Sequence, residues 1–441
     1  MTAAPAHSVP RRPAVDLGTV YIPGGISGFQ RLGFSLLILY LFLIFSRIFD
    51  VKLAFLHIPG ISYRVIFAMV ILSQAFLKAL HSDVGKALLV FTVCFVLAVP
   101  TSLWKGGSTQ ILISQWIPAF VVFLAAGGLV ADYGQCRRAV NAVAYGLFVL
   151  MLIAIFWGTT ETGRLFLPRG KFSNPNEMAQ ALLLGLALWW LVFQNARSGP
   201  MKVLAAIVML FMVITISKTG SRGALIGFAV LIASIFFRSS IAGKLKIIIG
   251  GFILLVFLVT TMPKKLLNRY ATLTEEEVTS ADASDEFEAS AVSSTNARKD
   301  LLMKSIKYTF QHPLFGVGPG MFVVAEDAEA RALGKRHGRW QGTHNSYTQV
   351  SCELGIPACI AYTLAIVYSL KKTARIHRKT RGDPRLLDIS NLALGLNYAL
   401  IVFAATIFFD YIAYSSMLPV FGGLAVSLGR TAEAEIALRT A

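Results

Sequence analysis

The sequence predicts an all-α, polytopic integral membrane protein. Hydrophobic residues make up 55% of the 441 residues, charged residues only 15%, and the mean hydropathy is +0.65. A membrane-spanning helix needs about 20 mostly apolar residues. About twelve segments meet this requirement, and they lie near 31–49, 61–80, 86–104, 110–131, 138–157, 176–194, 201–217, 222–237, 245–262, 346–369, 388–408 and 411–428.

One long polar loop interrupts this pattern and divides the chain. We expect an N-terminal tail, nine membrane helices, the loop, three further helices and a C-terminal tail, over 1–30, 31–262, 263–344, 345–429 and 430–441. The tail before Arg31 has no apolar core, so it does not resemble a cleavable signal peptide.

The formal net charge of +18 does not require a nucleic-acid partner. The long loop contains eleven basic and eleven acidic residues, so the whole excess lies elsewhere, much of it at helix ends. Basic residues collect in alternate short loops if the N-terminus is cytoplasmic, as positive-inside sorting requires. This assignment predicts an even number of helices, two cytoplasmic termini and a long loop on the outer face.

Two short outer connections carry basic residues where sorting disfavours them. The first contains Arg164, Arg169 and Lys171, and the second contains Lys218 and Arg222. Binding of an anion explains such a cluster most simply. The alternatives are pairing with lipid headgroup phosphates and capping of helix ends.

Each of these connections also has a structural interpretation. Asn176 is a candidate N-cap, with Glu177 in the first turn of the helix. The tight turn 217–223 places Arg222 at a helix start, where a cation opposes the helix dipole. An arginine near hydrocarbon is costly unless it is paired or lines a polar cavity, and its planar fork suits phosphate oxygens.

The second half of the long loop is predicted to lie on the membrane and approach a histidine. Residues 296–310 form an amphipathic, interfacial helix with Leu301, Leu302, Ile306 and Phe310 on one side. A glycine-rich segment and a second short helix, about 324–333, follow. The remaining candidates that shape the site are His312, Gly316, Gly318, His337 and Arg339.

His344 and Asn345 stand at the mouth of the tenth predicted helix. Asn345 or Ser346 can cap that helix. A lone histidine is usually structural, but one that closes a basic, glycine-rich loop can act as a general base near neutral pH. Neither Cys, His nor acidic residues show the spacing of a metal site, so no metal and no cofactor is expected.

Four motifs together resemble the O-antigen ligase/polymerase superfamily, over roughly 160–370. They are Arg164 with 174–177, the turn 217–223, Arg298 with the glycine-rich segment 312–318, and Thr-His-Asn-Ser at 343–346. The resemblance implies a GT-C-like glycosyltransferase of the bacterial inner membrane that is metal-independent and inverting. Such ligases move a polysaccharide from undecaprenyl diphosphate to the lipid A–core oligosaccharide at the periplasmic face.

The resemblance also implies roles for individual residues. Arg222 and Arg298 would contact the donor diphosphate, and His344 would lie near the acceptor hydroxyl. Charge and topology add Arg164, Arg169, Lys171 and Lys218 to the donor side. The expected partners are the undecaprenyl diphosphate-linked donor, the lipid A–core acceptor and membrane lipids.

Two alternatives remain open. An O-antigen polymerase or a protein O-oligosaccharyltransferase belongs to the same superfamily, but polymerases commonly have two sizeable outer loops and oligosaccharyltransferases often carry extra C-terminal sequence. A transporter or lipid flippase would show internal repeats or charges near the bilayer midplane. The short 158–175 connection and the basic residues at one rim favour the ligase.

Overall fold

The computed structural model describes residues 27–51, 58–161, 163–271 and 286–440, and within them it is a bundle of helices. The α-helices are Gly28–Ser46, Ile48–Val51, Ile58–Leu72, Ala75–Leu80, Asp83–Ala98, Lys105–Ile111, Ile117–Gly128, Tyr133–Trp157, Pro175–Asn195, Gly199–Lys218, Arg222–Arg238, Ile241–Thr261, Lys264–Ala271, Glu286–Gln311, Phe322–Ala332, Ser346–Leu354, Ile356–Thr380, Leu387–Thr406 and Met417–Thr440. A π-helical turn, Leu112–Trp116, joins two of them, and Lys171–Ser173 and Pro384–Leu386 are 3₁₀ turns. Thr159–Glu161 and Arg164–Phe166 pair as a small antiparallel hairpin.

Within this described part, seven helices are long and apolar enough to cross a membrane. These candidate spans are Gly28–Ser46, Lys105–Gly128, Tyr133–Trp157, Pro175–Asn195, Gly199–Lys218, Ile241–Thr261 and Pro384–Thr406. The protein is therefore an all-α polytopic membrane protein. All twelve predicted apolar segments contain helix, although the count of twelve crossings remains a prediction.

The tenth predicted helix is broken into two pieces at Gly355. Ser346–Leu354 ends there, and Ile356–Thr380 begins after a left-handed backbone position, φ 88°. The backbone at Leu314 packs directly on the chain at this position. A Cβ on Gly355 would lie 2.2 Å from the carbonyl oxygen of Leu314, so only glycine fits there. The N–H of Ile356 donates to the carbonyl of Pro313 at 2.8 Å. The segment that contains Pro313 and Leu314 therefore supplies a hydrogen-bond acceptor for the start of the second piece.

The connections that were predicted to share the outer face meet at one end of the bundle. Leu103 N–H donates to Val317 O at 3.1 Å, and Arg164 Nε donates to Thr219 O at 2.8 Å. Ser346 Oγ donates to Asp410 O at 2.8 Å and joins the end of the long loop to the connection 407–416, which we call the Asp410 loop. We call this end of the bundle the His344 end.

Two local sequence predictions were wrong. The N-cap of the Pro175–Asn195 helix is Asn174, whose side chain accepts from the N–H of Asn176, because Pro175 already occupies the first helical position. Leu301 is fully buried while Phe310 is 73% exposed. Nine residues at about 100° each turn a helix to its opposite side, so these two cannot share one apolar face.

The remaining local predictions in this region were confirmed. Asn345 is the N-cap of Ser346–Leu354, and its side chain accepts from the N–H groups of Tyr347 and Thr348. Glu177 stands in the first turn of its helix. The second loop helix is Phe322–Ala332, within two residues of the predicted range.

Candidate functional site

His344 is held in an uncommon backbone conformation at the His344 end. Its φ is 52°, in the left-handed region that few residues other than glycine adopt. Its ring meets the ring of Tyr411 edge-on, with the centroids 5.5 Å apart. A Cβ on Gly342 would lie 2.6 Å from the Tyr411 ring, so the chain before His344 also lies directly on this tyrosine.

Arg298, His344 and Asp410 form an electrostatically coupled group. Burial, and then the positive charge of Arg298, lower the pKa of His344 to about 4. Burial lowers the pKa of Arg298 while Asp410 opposes that shift, and arginine stays charged at neutral pH. Burial raises the pKa of Asp410 to about 6, against the opposing effects of the Tyr411 N–H and Arg298.

Two polar atoms of this group are buried without a hydrogen-bond partner among the described residues. They are Nδ1 of His344 and Oδ2 of Asp410, whereas Oδ1 of Asp410 accepts from the Tyr411 N–H at 2.9 Å. A buried polar atom without a partner costs about 1–3 kcal/mol. Each such atom in a folded protein needs an explanation, and a catalytic role is one of them.

Arg222 approaches the same loop from the bundle. It begins the helix Arg222–Arg238, is 7% exposed, and follows the N-cap Ser221. A Cβ on the next residue, Gly223, would lie 2.7 Å from the Cβ of Phe409. The close approach that glycine allows therefore sets the start of this helix against the residue that precedes Asp410.

Arg164 holds two outer connections together. Its Nε donates to Thr219 O at 2.8 Å, and its Nη2 donates to Asn176 Oδ1 at 2.9 Å. The hydroxyl of Tyr270 donates to Ser217 O at 2.9 Å, so the first helix of the long loop is fixed to the same turn. These contacts give Arg164 a structural role at the rim of the site.

Replacement of Arg164 with Ala is expected to destabilise the His344 end. Loss of two hydrogen bonds from a charged donor costs roughly 3 kcal/mol. Thermal unfolding in detergent measures this effect, with Arg197→Ala as a control because Arg197 is exposed and lies at the other end of the bundle. Equal unfolding temperatures for the two variants would contradict the structural role.

The other sequence-predicted candidates lie outside the Arg298–His344–Asp410 group. Arg169, Lys218 and His312 are exposed on the surface, and the side chain of Lys171 is outside the described residues. Exposed Arg339 pairs with Asp300 at 3.3 Å, and its N–H donates to Glu326 Oε2.

Nδ1 of His337 lies 2.8 Å from the carbonyl oxygen of Gly338. Gly316 and Gly318, at φ 65° and 110°, bring the segment 316–320, called the glycine segment, against Glu353 and Ser102. These two glycines therefore shape the backbone around the site.

Sequence reasoning missed two acidic residues and a tyrosine. Asp410, which lies between the last two predicted helices, is not among the sequence-predicted candidates, and neither are Glu353 and Tyr414. Both acids interrupt apolar stretches, and an ionisable residue in such a stretch is a functional candidate by default. That signal could have identified both from the sequence.

We expect the ionisation of Asp410 to control activity in mildly acidic solution. Its raised pKa means that the carboxyl is mostly ionised at pH 7 and mostly protonated at pH 5. If the ionised form balances Arg298 and accepts a hydrogen bond from substrate, kcat/KM falls as the pH drops through about 6. The profile of kcat/KM against pH tests this. Asp410→Asn should lower activity and remove that limb, and an unchanged limb in Asp410→Asn would contradict the assignment.

The described residues contain no group of three or more His, Cys, Asp or Glu side chains that could hold a metal ion. In a comparison with protein families, residues 207–363 match the model described as O-Antigen ligase. The matched range contains Arg222, Arg298 and His344. No curated protein matches the chain. The match indicates a glycosyltransferase-like enzyme whose substrates include lipid-linked glycans.

Proposed function

We propose that this chain, whose residues 207–363 match the O-Antigen ligase family model, is a member of that superfamily and transfers a polysaccharide from undecaprenyl diphosphate to the lipid A–core oligosaccharide. The reaction takes place at the periplasmic face of the bacterial inner membrane, where the His344 end lies. One observation carries the proposal: buried Arg222 and half-buried Arg298 approach the Asp410 loop from separate parts of the chain, with His344 beside Arg298.

The arginines bind the donor diphosphate. A diphosphate is already an activated leaving group, so the protein must stabilise the negative charge that develops as it departs. Arg222 and Arg298 supply this stabilisation, and their burial strengthens it relative to bulk water. Arg164 keeps the rim in place through Thr219 and Asn176, and Arg169, Lys171 and Lys218 add positive charge around it.

His344 and Asp410 receive the acceptor hydroxyl. The hydroxyl oxygen bonds to the anomeric carbon as the bond from that carbon to the diphosphate breaks, with inversion. The diphosphate leaves with the electron pair, and the hydroxyl proton passes to His344. A pKa of about 4 makes free His344 a neutral hydrogen-bond acceptor but a weak base. A diphosphate beside Arg298 offsets the positive charge that lowers this pKa, so the donor makes His344 more basic.

The Glu286–Gln311 helix covers this site and rests on the membrane surface. Met303, Ile306 and Phe310 recur on its outward side, with exposed fractions of 61%, 37% and 73%. Lys307 beside them pairs with Glu329 at 2.7 Å. An exposed apolar stripe beside basic residues is typical of a helix that lies in the lipid interface.

The donor class is tested with purified protein and three radiolabelled donors that carry the same glycan. They are the undecaprenyl diphosphate, the undecaprenyl monophosphate and a nucleotide diphosphate. We expect transfer to lipid A–core from the undecaprenyl diphosphate alone, because the arginines need a diphosphate and the binding site needs a lipid. Equal transfer from the nucleotide-linked glycan would overturn the proposal.

A further inference from the structure

Glu353 is a buried carboxylate that the proposed reaction does not use. It lies at the end of the Ser346–Leu354 helix, with 4% of its surface exposed. Three donors converge on it: the N–H of Gly320 at 2.9 Å, the N–H of Phe322 at 3.3 Å and the hydroxyl of Tyr414 at 2.6 Å. Both oxygens of this buried carboxylate accept hydrogen bonds, which indicates a specific structural role.

The backbone beside Glu353 fixes the glycine segment. The carbonyls of Cys352 and Glu353 accept from the N–H groups of Val317 and Gly318 at 2.8 and 3.0 Å. A Cβ on Gly316 would lie 2.2 Å from the carbonyl carbon of Glu353, so only glycine permits this contact. The backbone carbonyls of Cys352 and Glu353 therefore hold the first part of the glycine segment, and the Glu353 carboxylate holds its last residue, Gly320.

The same short helix also holds the Asp410 loop along its length. At its start, Ser346 Oγ donates to Asp410 O and accepts from the Ile412 N–H at 3.0 Å. In its middle, Gln349 Oε1 accepts from the Ala413 N–H at 3.2 Å. At its end, Glu353 accepts from Tyr414, so the carboxylate is the last of a series of contacts that begins two residues after His344.

We propose that Glu353 is a positioning residue for glycan transfer, which clamps the glycine segment and the Asp410 loop to the helix that follows His344. This inference rests on the proposed function. Glu353 does not reach the reacting atoms. It acts through the position of Asp410 relative to His344, and a displacement of about 1 Å in such a pair can cost about 100-fold in rate.

Glu353→Gln is the sharpest variant, because it keeps the shape of the side chain. Glutamine offers one acceptor oxygen and an amide that itself donates, so the three converging donors cannot all be satisfied. The matched control is Asn397→Leu. Asn397 is also buried and hydrogen-bonded, to Leu370 O, Thr373 Oγ1 and the guanidinium of Arg238. It lies in the middle of the Leu387–Thr406 helix, away from the helix end that meets Ser346.

The first measurement is hydrogen–deuterium exchange of the full-length protein in nanodiscs, which does not depend on activity. In Glu353→Gln we expect the amides of Gly320 and Phe322 to exchange about 10- to 100-fold faster than in wild type, because the carboxylate that accepts from both is lost. In Asn397→Leu the same amides should be unchanged. Equal exchange in Glu353→Gln and wild type would overturn the clamp.

The second measurement separates positioning from general destabilisation. We expect Glu353→Gln to lower kcat by about 10- to 100-fold, with a donor KM close to wild type and an unchanged pH profile. Tyr414→Phe should lower kcat less, and the double variant should lose less than the two single losses combined, since both residues share one hydrogen bond. A kcat no lower than that of Asn397→Leu would overturn the positioning role. If wild type transfers no glycan, the proposed function fails, and the exchange experiment still decides whether the clamp exists.

Discussion

His344→Ala is expected to reduce glycan transfer by about 100- to 10,000-fold, the usual contribution of a positioned acid–base group, while donor binding persists. The imidazole is neutral at pH 7 because its pKa is held near 4, so it can accept the proton of the acceptor hydroxyl. The change leaves Arg222 and Arg298, the proposed ligands of the diphosphate, in place. A reconstituted transfer assay and a donor-binding measurement on the same preparation test both statements.

His344→Asn is the matched control for backbone strain. The left-handed φ of 52° at position 344 disfavours alanine, but asparagine visits this region readily and retains a hydrogen-bonding side chain. If His344 is the base, both variants lose transfer. If it only positions the acceptor, asparagine should restore much of the rate. Near-normal transfer by a folded alanine variant would remove His344 from the mechanism.

Arg222→Ala is expected to weaken binding of undecaprenyl diphosphate by about 10- to 100-fold, because a hydrogen bond to a charged group contributes about 1.5–3 kcal/mol. Arg222 is buried at a helix start, where its cation gains nothing from the helix dipole. The proposed donor diphosphate would place an anion at this position. Binding to protein in nanodiscs, with a fluorescent lipid diphosphate, measures the change.

Two further variants make this result specific. Arg222→Lys keeps the charge but loses the planar fork, so we expect an intermediate affinity. Lys202→Ala removes an exposed cation at the opposite end of the bundle and should leave affinity unchanged. Unchanged binding by a stable Arg222→Ala protein would mean that Arg222 serves the fold alone.

Much of the helical architecture follows from local sequence. Runs of apolar residues predict the helices, because the surface of a membrane helix faces either lipid or another helix and must be hydrophobic in both cases. Gly220 and Gly223 mark the tight turn that places Arg222 at a helix start. Asn345 is identifiable as a cap because its side chain can accept from the N–H groups two and three residues later, those of Tyr347 and Thr348.

The arrangement of the site depends on contacts that local patterns do not encode. The break at Gly355 exists because Leu314, 41 positions earlier, crosses the chain there. Asp410 and His344 are brought together by Ser346, which bonds to the Asp410 loop 64 residues away. Exposed Arg169 and Lys218 match the charge pattern as well as Arg222 does, and only burial distinguishes them.

The identity of the acceptor is the central claim, and one incubation tests it most directly. Purified protein is given an undecaprenyl diphosphate-linked glycan with lipid A–core, or with no added acceptor, and the products are separated by size. We expect the glycan to appear on lipid A–core and the donor to remain unextended when no acceptor is present. Growth of the lipid-linked chain without lipid A–core would identify a polymerase and contradict the account.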